Sequence, residues 1–261
     1  MSDKFDKKVV VVTGGTSGIG LATAKAFAAE GAAVFITGRR QQALESALRN
    51  IQGDVTGVQG DMSNLRDIDQ LYDAVQQKHA HIDILVANAG GGEFAALGSI
   101  TEEHYEQTFN TNVKGVLFTV QKALPLLRDG AAVVLTSSTT SISGTPALSV
   151  YSATKAAVRN FARNWILDLK ERRIRVNAIS PGVTETAGLD TLFGGGDQAE
   201  AQKLIWPARF RPDAWVSRKR LPKRCFSSPQ RMPATSTASS CSSMADRCRF
   251  KGAAADYYVN K

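Results

Sequence analysis

Tyr151 and Lys155 bracket the run Tyr151-Ser-Ala-Thr-Lys155, and on a helix a spacing of four turns both side chains to one face. A free phenol, with a pKa of about 10, is a poor proton acceptor at neutral pH, because a general base works best with a pKa close to the working pH. A neighbouring ammonium stabilises the phenolate and lowers that pKa. The pair could therefore exchange a proton with a bound molecule, although alone it could equally be a half-buried helix tyrosine beside a solvated lysine. A second group, Thr13-Gly-Gly-Thr16-Ser17-Gly18-Ile19-Gly20, follows an apolar run at 9–13. Glycines at those places let the chain turn tightly and admit a pyrophosphate to the backbone N–H groups of a helix N-terminus. Taken singly, this group could be a strand-to-helix turn and nothing more.

The elements that would position these groups alternate in a regular way. Short β-branched runs at 9–13, 33–37, 55–59, 82–87, 131–136 and 175–178 read as strands. They are apolar without alternation, as strands covered on both faces must be. Between them, helix-period stretches fall at 19–29, 41–50, 65–78, 102–127 and 152–171. Such β-α-β units make a parallel, doubly wound α/β sheet flanked by helices, whose ligand crevice lies at the carboxyl ends of the strands. The chain has 261 residues, which a single α/β domain can absorb. No apolar stretch reaches the roughly 18 residues of a membrane span, and residues 1–8 carry charges where a signal peptide needs an apolar segment. A cytoplasmic protein with no membrane association is the expectation.

A formal charge of +8 invites a nucleic-acid reading, but its distribution argues for no nucleic-acid partner. Residues 1–205 hold 20 Lys or Arg against 21 Asp or Glu, whereas residues 206–261 hold 12 against 3. The three cysteines, Cys225, Cys241 and Cys248, lie in the same tail, at spacings that fit neither a metal knuckle nor a disulfide framework. No metal site is expected.

From residue 8 to about 200 the sequence resembles the short-chain dehydrogenases/reductases, a single-domain Rossmann family. The glycine loop from Thr13 to Gly20 matches its Thr-Gly-x-x-x-Gly-x-Gly, Asn88-Ala89-Gly90 its Asn-Ala-Gly, and Tyr151 with Lys155 its Tyr-x-x-x-Lys; Ser138 precedes these at the family's separation. The resemblance implies a hydride transfer between a nicotinamide cofactor and an alcohol or carbonyl carbon, with Ser138, Tyr151, Lys155 and Asn112 as catalytic tetrad. In it Ser138 stabilises charge on the substrate oxygen, and Asn112 holds a water that relays protons from Lys155. It places the cofactor against Gly14, Thr16, Ser17, Gly18, Ile19, Gly20, Asn88, Ala89 and Gly90, with Asp61 and Met62 at the adenine. Pro181, Gly182 and Thr186 fall at the carboxamide. Each has a plain alternative: Ser138 as a turn residue at a strand end, Asn112 as a polar helix residue, Asn88 as a turn former, Asp61 as the cap of a helix starting near Ser63.

Cofactor choice is read where the second strand ends. A carboxylate there would bind the ribose 2′-hydroxyl of NAD and repel a phosphate, yet the sequence has Thr37-Gly38-Arg39-Arg40. Arg39 suits a bidentate contact to the 2′-phosphate, so NADP(H) is favoured, with NAD(H) possible; a surface arginine pair opening a helix is the alternative. Segments 91–97, 141–150 and 183–205, with Phe94, Leu148, Leu189, Leu192 and Phe193, suit a moderately apolar small-molecule substrate, and the Gly-rich run near 187–205 reads as a lid. The resemblance implies a homodimer or homotetramer through helices 102–127 and 152–171. Two other classes stay open: a nicotinamide-binding module without turnover, and a basic nucleic-acid binder supported by the tail alone.

Residues 1–205 thus read as the catalytic domain and 206–261 as an atypical basic, Ser- and Arg-rich tail, poorly ordered on composition. The tail reads as a frameshifted form of the family's ending, so the last core strand would be missing or replaced. Joining the third base of each codon to the first two of the next, Trp215 with Val216 forces Gly, Met232 with Pro233 forces Ala, and Met244 with Ala245 forces Gly. Around these points the code allows Leu-Phe-Val-Asp-Gly-Gly near Ser240, which resembles the family's closing strand, and a stop where Phe250 meets Lys251.

Overall fold

The structure, a computed structural model, describes residues 4–184 together with 186 and 189. The basic tail at 206–261, Leu192, Phe193 and the rest of the expected lid except Leu189 lie outside the described residues. Six parallel strands form one sheet in the order β3-β2-β1-β4-β5-β6. They are β1 Val9–Val12, β2 Ala33–Gly38, β3 Val55–Gln59, β4 Ile82–Ala87, β5 Leu127–Thr136 and β6 Arg175–Ile179. The helices are α1 Gly18–Ala28, α2 Gln41–Arg49, α3 Leu65–Lys78, α4 Glu102–Phe109, α5 Gly115–Ala123 and α6 Ser149–Asp168.

The unbroken valines of β1 show why such strands carry no alternation. Val9 and Val11 enter one core cluster with Ile68, Leu71, Val116 and Val158 from α3, α5 and α6, while Val10 and Val12 enter the other with Ala24, Phe27, Leu44 and Ala47 from α1 and α2. Both faces are covered, so both must be apolar. At the amino end of the sheet the buried Asp83 carboxylate accepts from Val9 N at 2.9 Å and pairs with Arg128 at 2.7 Å, Lys8 at 3.2 Å and the His81 ring at 3.2 Å. It thereby ties β1, β4 and the start of β5 together, far from the carboxyl ends where ligands bind.

Two expectations need correction. The helix read at 102–127 is α4, a π-helical turn over Asn110–Lys114 and α5, ending at Ala123. Pro125 has no N–H to continue the ladder, and Leu127 already belongs to β5. That strand starts four residues before the expected 131, passing through Gly130 at φ 79 with an irregular register against Ile82 and Ile84. Arg128-Asp129-Gly130 has the composition of a turn and hides the bulge. The helix read at 152–171 lies three residues earlier at each end, over Ser149–Asp168.

Candidate active site

The strand order reverses between β1 and β4, and the crevice opens there at their carboxyl ends. Ser17 precedes α1 without capping it by its side chain, and the first turn holds no acid, so the leading N–H groups of α1 remain available to an anion. Gly14 turns the chain at φ 64, and a Cβ on Gly20 would lie 2.2 Å from the Gly14 carbonyl oxygen. The cradle therefore fits a pyrophosphate approaching bare backbone. Ile19 is part-exposed within it and Thr16 borders it.

Asn88 is more than a turn former. Its Nδ2 donates to the carbonyls of Thr13 at 3.1 Å and Gly14 at 3.2 Å, and its Oδ1 accepts from Thr136 Oγ1 at 3.3 Å. It thus clamps the ends of β1, β4 and β5. The Thr13 hydroxyl accepts from the amides of Asn88 at 3.0 Å and Ala89 at 3.1 Å, and the Thr37 hydroxyl from Gly14 N at 3.2 Å. Sequence reasoning gave the side chains of Thr13 and Thr37 no role; the one available signal was a hydroxyl residue closing each β-branched run.

Beyond the ends of β2 and β3, where the adenine is expected, a cleft of about 410 Å³ is lined by Arg39, Gln59, Gly60, Asp61, Asp67 and Gln70. Arg39, 72% exposed, lies 3.9 Å from Asp61. The other Asp61 oxygen accepts from Ser63 N at 2.9 Å and Ser63 Oγ at 2.8 Å. Asp61 therefore builds the turn ahead of α3, while the cap itself is Asn64, which accepts from Arg66 N. The Met62 side chain is buried in the core, and its carbonyl lies against Gly115. A Cβ on Gly38 would come within 2.2 Å of the Thr16 methyl.

The expected tetrad converges beside this crevice. Ser138, at the end of β5, accepts from Thr140 N at 3.2 Å and Thr140 Oγ1 at 3.0 Å, which leaves its own proton for the Tyr151 phenol. Burial pushes the phenol above its ordinary pKa, and the Ser138 hydrogen bond works in the opposite direction. The Tyr151 ring rests on the backbone at Gly92, where a Cβ would lie 2.5 Å from the ring. Lys155, 3% exposed, donates to the Thr136 carbonyl at 2.9 Å, with its Nζ 5.6 Å from the centre of the Tyr151 ring. Burial lowers its pKa to about 8. The lysine thus faces the ring, and burial outweighs the other influences on the phenol.

Asn112 sits in the π-helical turn, fully buried. Its Oδ1 accepts from Gly91 N at 3.0 Å, and its Nδ2 donates to Gly91 O at 2.7 Å and Thr154 Oγ1 at 3.0 Å. Gly90 has no side chain where Asn112 Oδ1 and Lys155 Nζ draw close: a Cβ there would meet them at 3.0 and 3.2 Å. Beyond β6, the Pro181 carbonyl accepts from Thr139 N at 3.1 Å, next to Ser138, and exposed Gly182 follows. The Thr186 side chain reaches back over the glycine loop, its methyl 3.0 Å from where a Cβ on Gly18 would be. Thr154 was absent from the sequence-derived site, and Gly92 fell within the pocket segment 91–97 without a role of its own.

Two loops flank the mouth, joined by Ala95 N donating to Ala147 O at 2.8 Å. Leu97 and Ile142 are exposed along them, whereas Leu148 is buried.

A doubly wound sheet with an open helix N-terminus at its switch point, and a half-buried tyrosine and a buried lysine beside it, defines a dinucleotide-binding protein with acid–base groups at its crevice. Residues 8–194 match the profile of the short chain dehydrogenase family, and the chain belongs to that oxidoreductase family. It is 46% identical over 181 residues to Oxidoreductase asL5 of Sarocladium schorii, covering 69% of this chain and 73% of that one. It is 35% identical over 201 residues to the NADP-dependent (R)-specific alcohol dehydrogenase of Lentilactobacillus kefiri, covering 74% and 80%. A short chain dehydrogenase from Burkholderia cenocepacia J2315, solved in complex with NADP, superposes with a TM-score of 0.73 at 30% identity, covering 82% of this chain and 87% of that one. Among the described residues no helix is long and apolar enough to cross a membrane.

Proposed function

We propose that this chain transfers a hydride between NADP(H) and the alcohol or carbonyl carbon of a small, moderately apolar substrate, with Tyr151 as general acid and base. The observation that carries the reading is the convergence of a half-buried phenol, a hydroxyl on its oxygen and a buried ammonium at the switch-point crevice. With substrate bound, the Ser138 proton would turn from the phenol to the reacting oxygen, and Tyr151 gives or takes the proton there. Lys155 supplies positive charge behind the ring, and Asn112 keeps the loop at Gly91 in place beside it. Bound NADP would supply the hydride-carrying ring, held by the glycine loop, Asn88, Thr186 and Arg39. The cofactor preference is supported by Arg39 beyond a strand that ends without an acid, and by the NADP-dependent relative. The apolar rim at Leu97 and Ile142 supports the substrate class.

Tyr151→Phe removes the one proton that the reaction must exchange. Reduction of acetophenone or cyclohexanone, followed as loss of NADPH absorbance, should fall by about two to four powers of ten, the usual worth of a general acid. NADPH binding, measured by fluorescence, should stay as in the parent. Retained turnover would refute the assignment.

A further inference from the structure

Thr154 lies between the two catalytic positions of α6 and is completely buried. Its hydroxyl donates to the Tyr151 carbonyl at 2.6 Å. A helical threonine often bonds the carbonyl one turn back, so that bond alone says little. The other contact is not local: Thr154 Oγ1 accepts from Asn112 Nδ2, 42 positions away, on the π-helical turn. A hydroxyl has one proton. Because that proton is committed to Tyr151 O, only a donor can face the remaining lone pairs of Thr154. The Asn112 carboxamide must therefore turn its NH2 to α6 and its oxygen to Gly91 N, on the side of Gly90 where Lys155 Nζ also lies. Turned the other way, its oxygen would meet the Thr154 lone pairs and the Gly91 carbonyl at once.

We propose that Thr154 is a positioning residue of the acid–base site: the direction of its one hydroxyl proton, together with the two backbone bonds of Gly91, fixes the orientation of Asn112, and through Asn112 the electrostatic environment of Lys155. This rests on Tyr151 and Lys155 being the acid–base pair. Without the hydroxyl, Asn112 Nδ2 keeps only the Gly91 carbonyl as partner, and the carboxamide is held less firmly with its oxygen on the side of the ammonium. The charged lysine is then disfavoured and the phenol harder to ionise.

Thr154→Val keeps the shape and removes the hydroxyl, while Thr154→Ser keeps the hydroxyl and removes the methyl. In both, turnover of acetophenone with NADPH is measured, together with the pH profile of the reverse oxidation of 1-phenylethanol, NADPH binding and the melting temperature. The valine variant should lose about tenfold in kcat, the rate equivalent of one buried hydrogen bond. Its oxidation profile should move up by about half a pH unit, with NADPH affinity unchanged, and the serine variant should stay within about twofold of the parent. Parental turnover and pH profile in Thr154→Val would overturn the proposal. So would equal losses in the valine and serine variants, since the methyl and not the hydroxyl would then matter. Tyr151→Phe, assayed in parallel, separates the two levels. If it is inactive while Thr154→Val behaves as the parent, only the positioning role falls; if it is active, the acid–base reading falls and this inference with it.

Discussion

At the scale of single residues the site is governed by what fits against what. Arg39 is exposed and shares its surroundings with Asp61, so the contact with a 2′-phosphate proposed for it would be worth the low end of a charge-assisted hydrogen bond. Arg39→Ala should weaken NADP binding about tenfold and leave NAD binding unchanged, as read by fluorescence titration; tighter binding of NAD than NADP by the parent would remove the basis for the preference. Converting the site to NAD is harder than Gly38→Asp alone suggests. The Thr16 methyl occupies the place of the new Cβ, and β-branched threonine has few alternative rotamers. The double variant Thr16→Ala with Gly38→Asp should therefore bind NAD better than Gly38→Asp does. Position 38 was legible in the sequence as a missing acid, whereas the threonine packed on it, 22 residues earlier, became visible only once β2 and the glycine loop were brought together.

Elements were read well where hydrophobic pattern and punctuation agree. The strands 55–59 and 82–87 and the helix 65–78 have the expected bounds, the helix carrying its apolar residues Ile68, Leu71, Tyr72 and Val75 at helical spacing. Reading failed where backbone departs from a regular period. The π-helical turn adds a residue to its loop without any composition signal, and Gly130 sits inside β5 rather than at a hairpin. The fourfold bonding of Asp83 was equally hidden, because its partners come from three separate segments. Asp83 anchors the amino end of the sheet, away from the crevice, so Asp83→Asn should cost stability without touching the site. A loss of about 2–3 kcal/mol in chemical denaturation is expected, below the full cost of a deeply buried pair because the cations are half in water. NADPH affinity should be unchanged; a comparable loss of binding would mean that the sheet transmits the change to its far end.

For the whole molecule, the buried Lys155 ammonium ties stability to pH. Its folded pKa of about 8 lies below the ordinary 10.5. Below pH 8 both folded and unfolded chains hold the proton, and folding bears the full burial cost. As pH rises from 8 toward 10.5 the folded chain releases its proton first, the unfolded chain binds more protons, and stability rises. Melting curves of the parent should show this rise relative to Lys155→Met, which should show none from this source; parallel curves would refute it. The basic tail makes a different test. We propose that it is a frameshifted ending, and a single added or lost base near codons 203–208 of the coding DNA should restore a closing Leu-Phe-Val-Asp-Gly-Gly; if neither change restores it, the proposal fails. The bond between Ala95 and Ala147 has a consequence for descent. Thr13, Asn88 and Thr136 fasten the glycine loop to three strand ends, whereas the two rim loops meet each other through the backbone bond between Ala95 and Ala147. Under the proposed function, those loops could be rewritten, and with them the choice of alcohol or ketone, while the chemistry beneath is left unaltered.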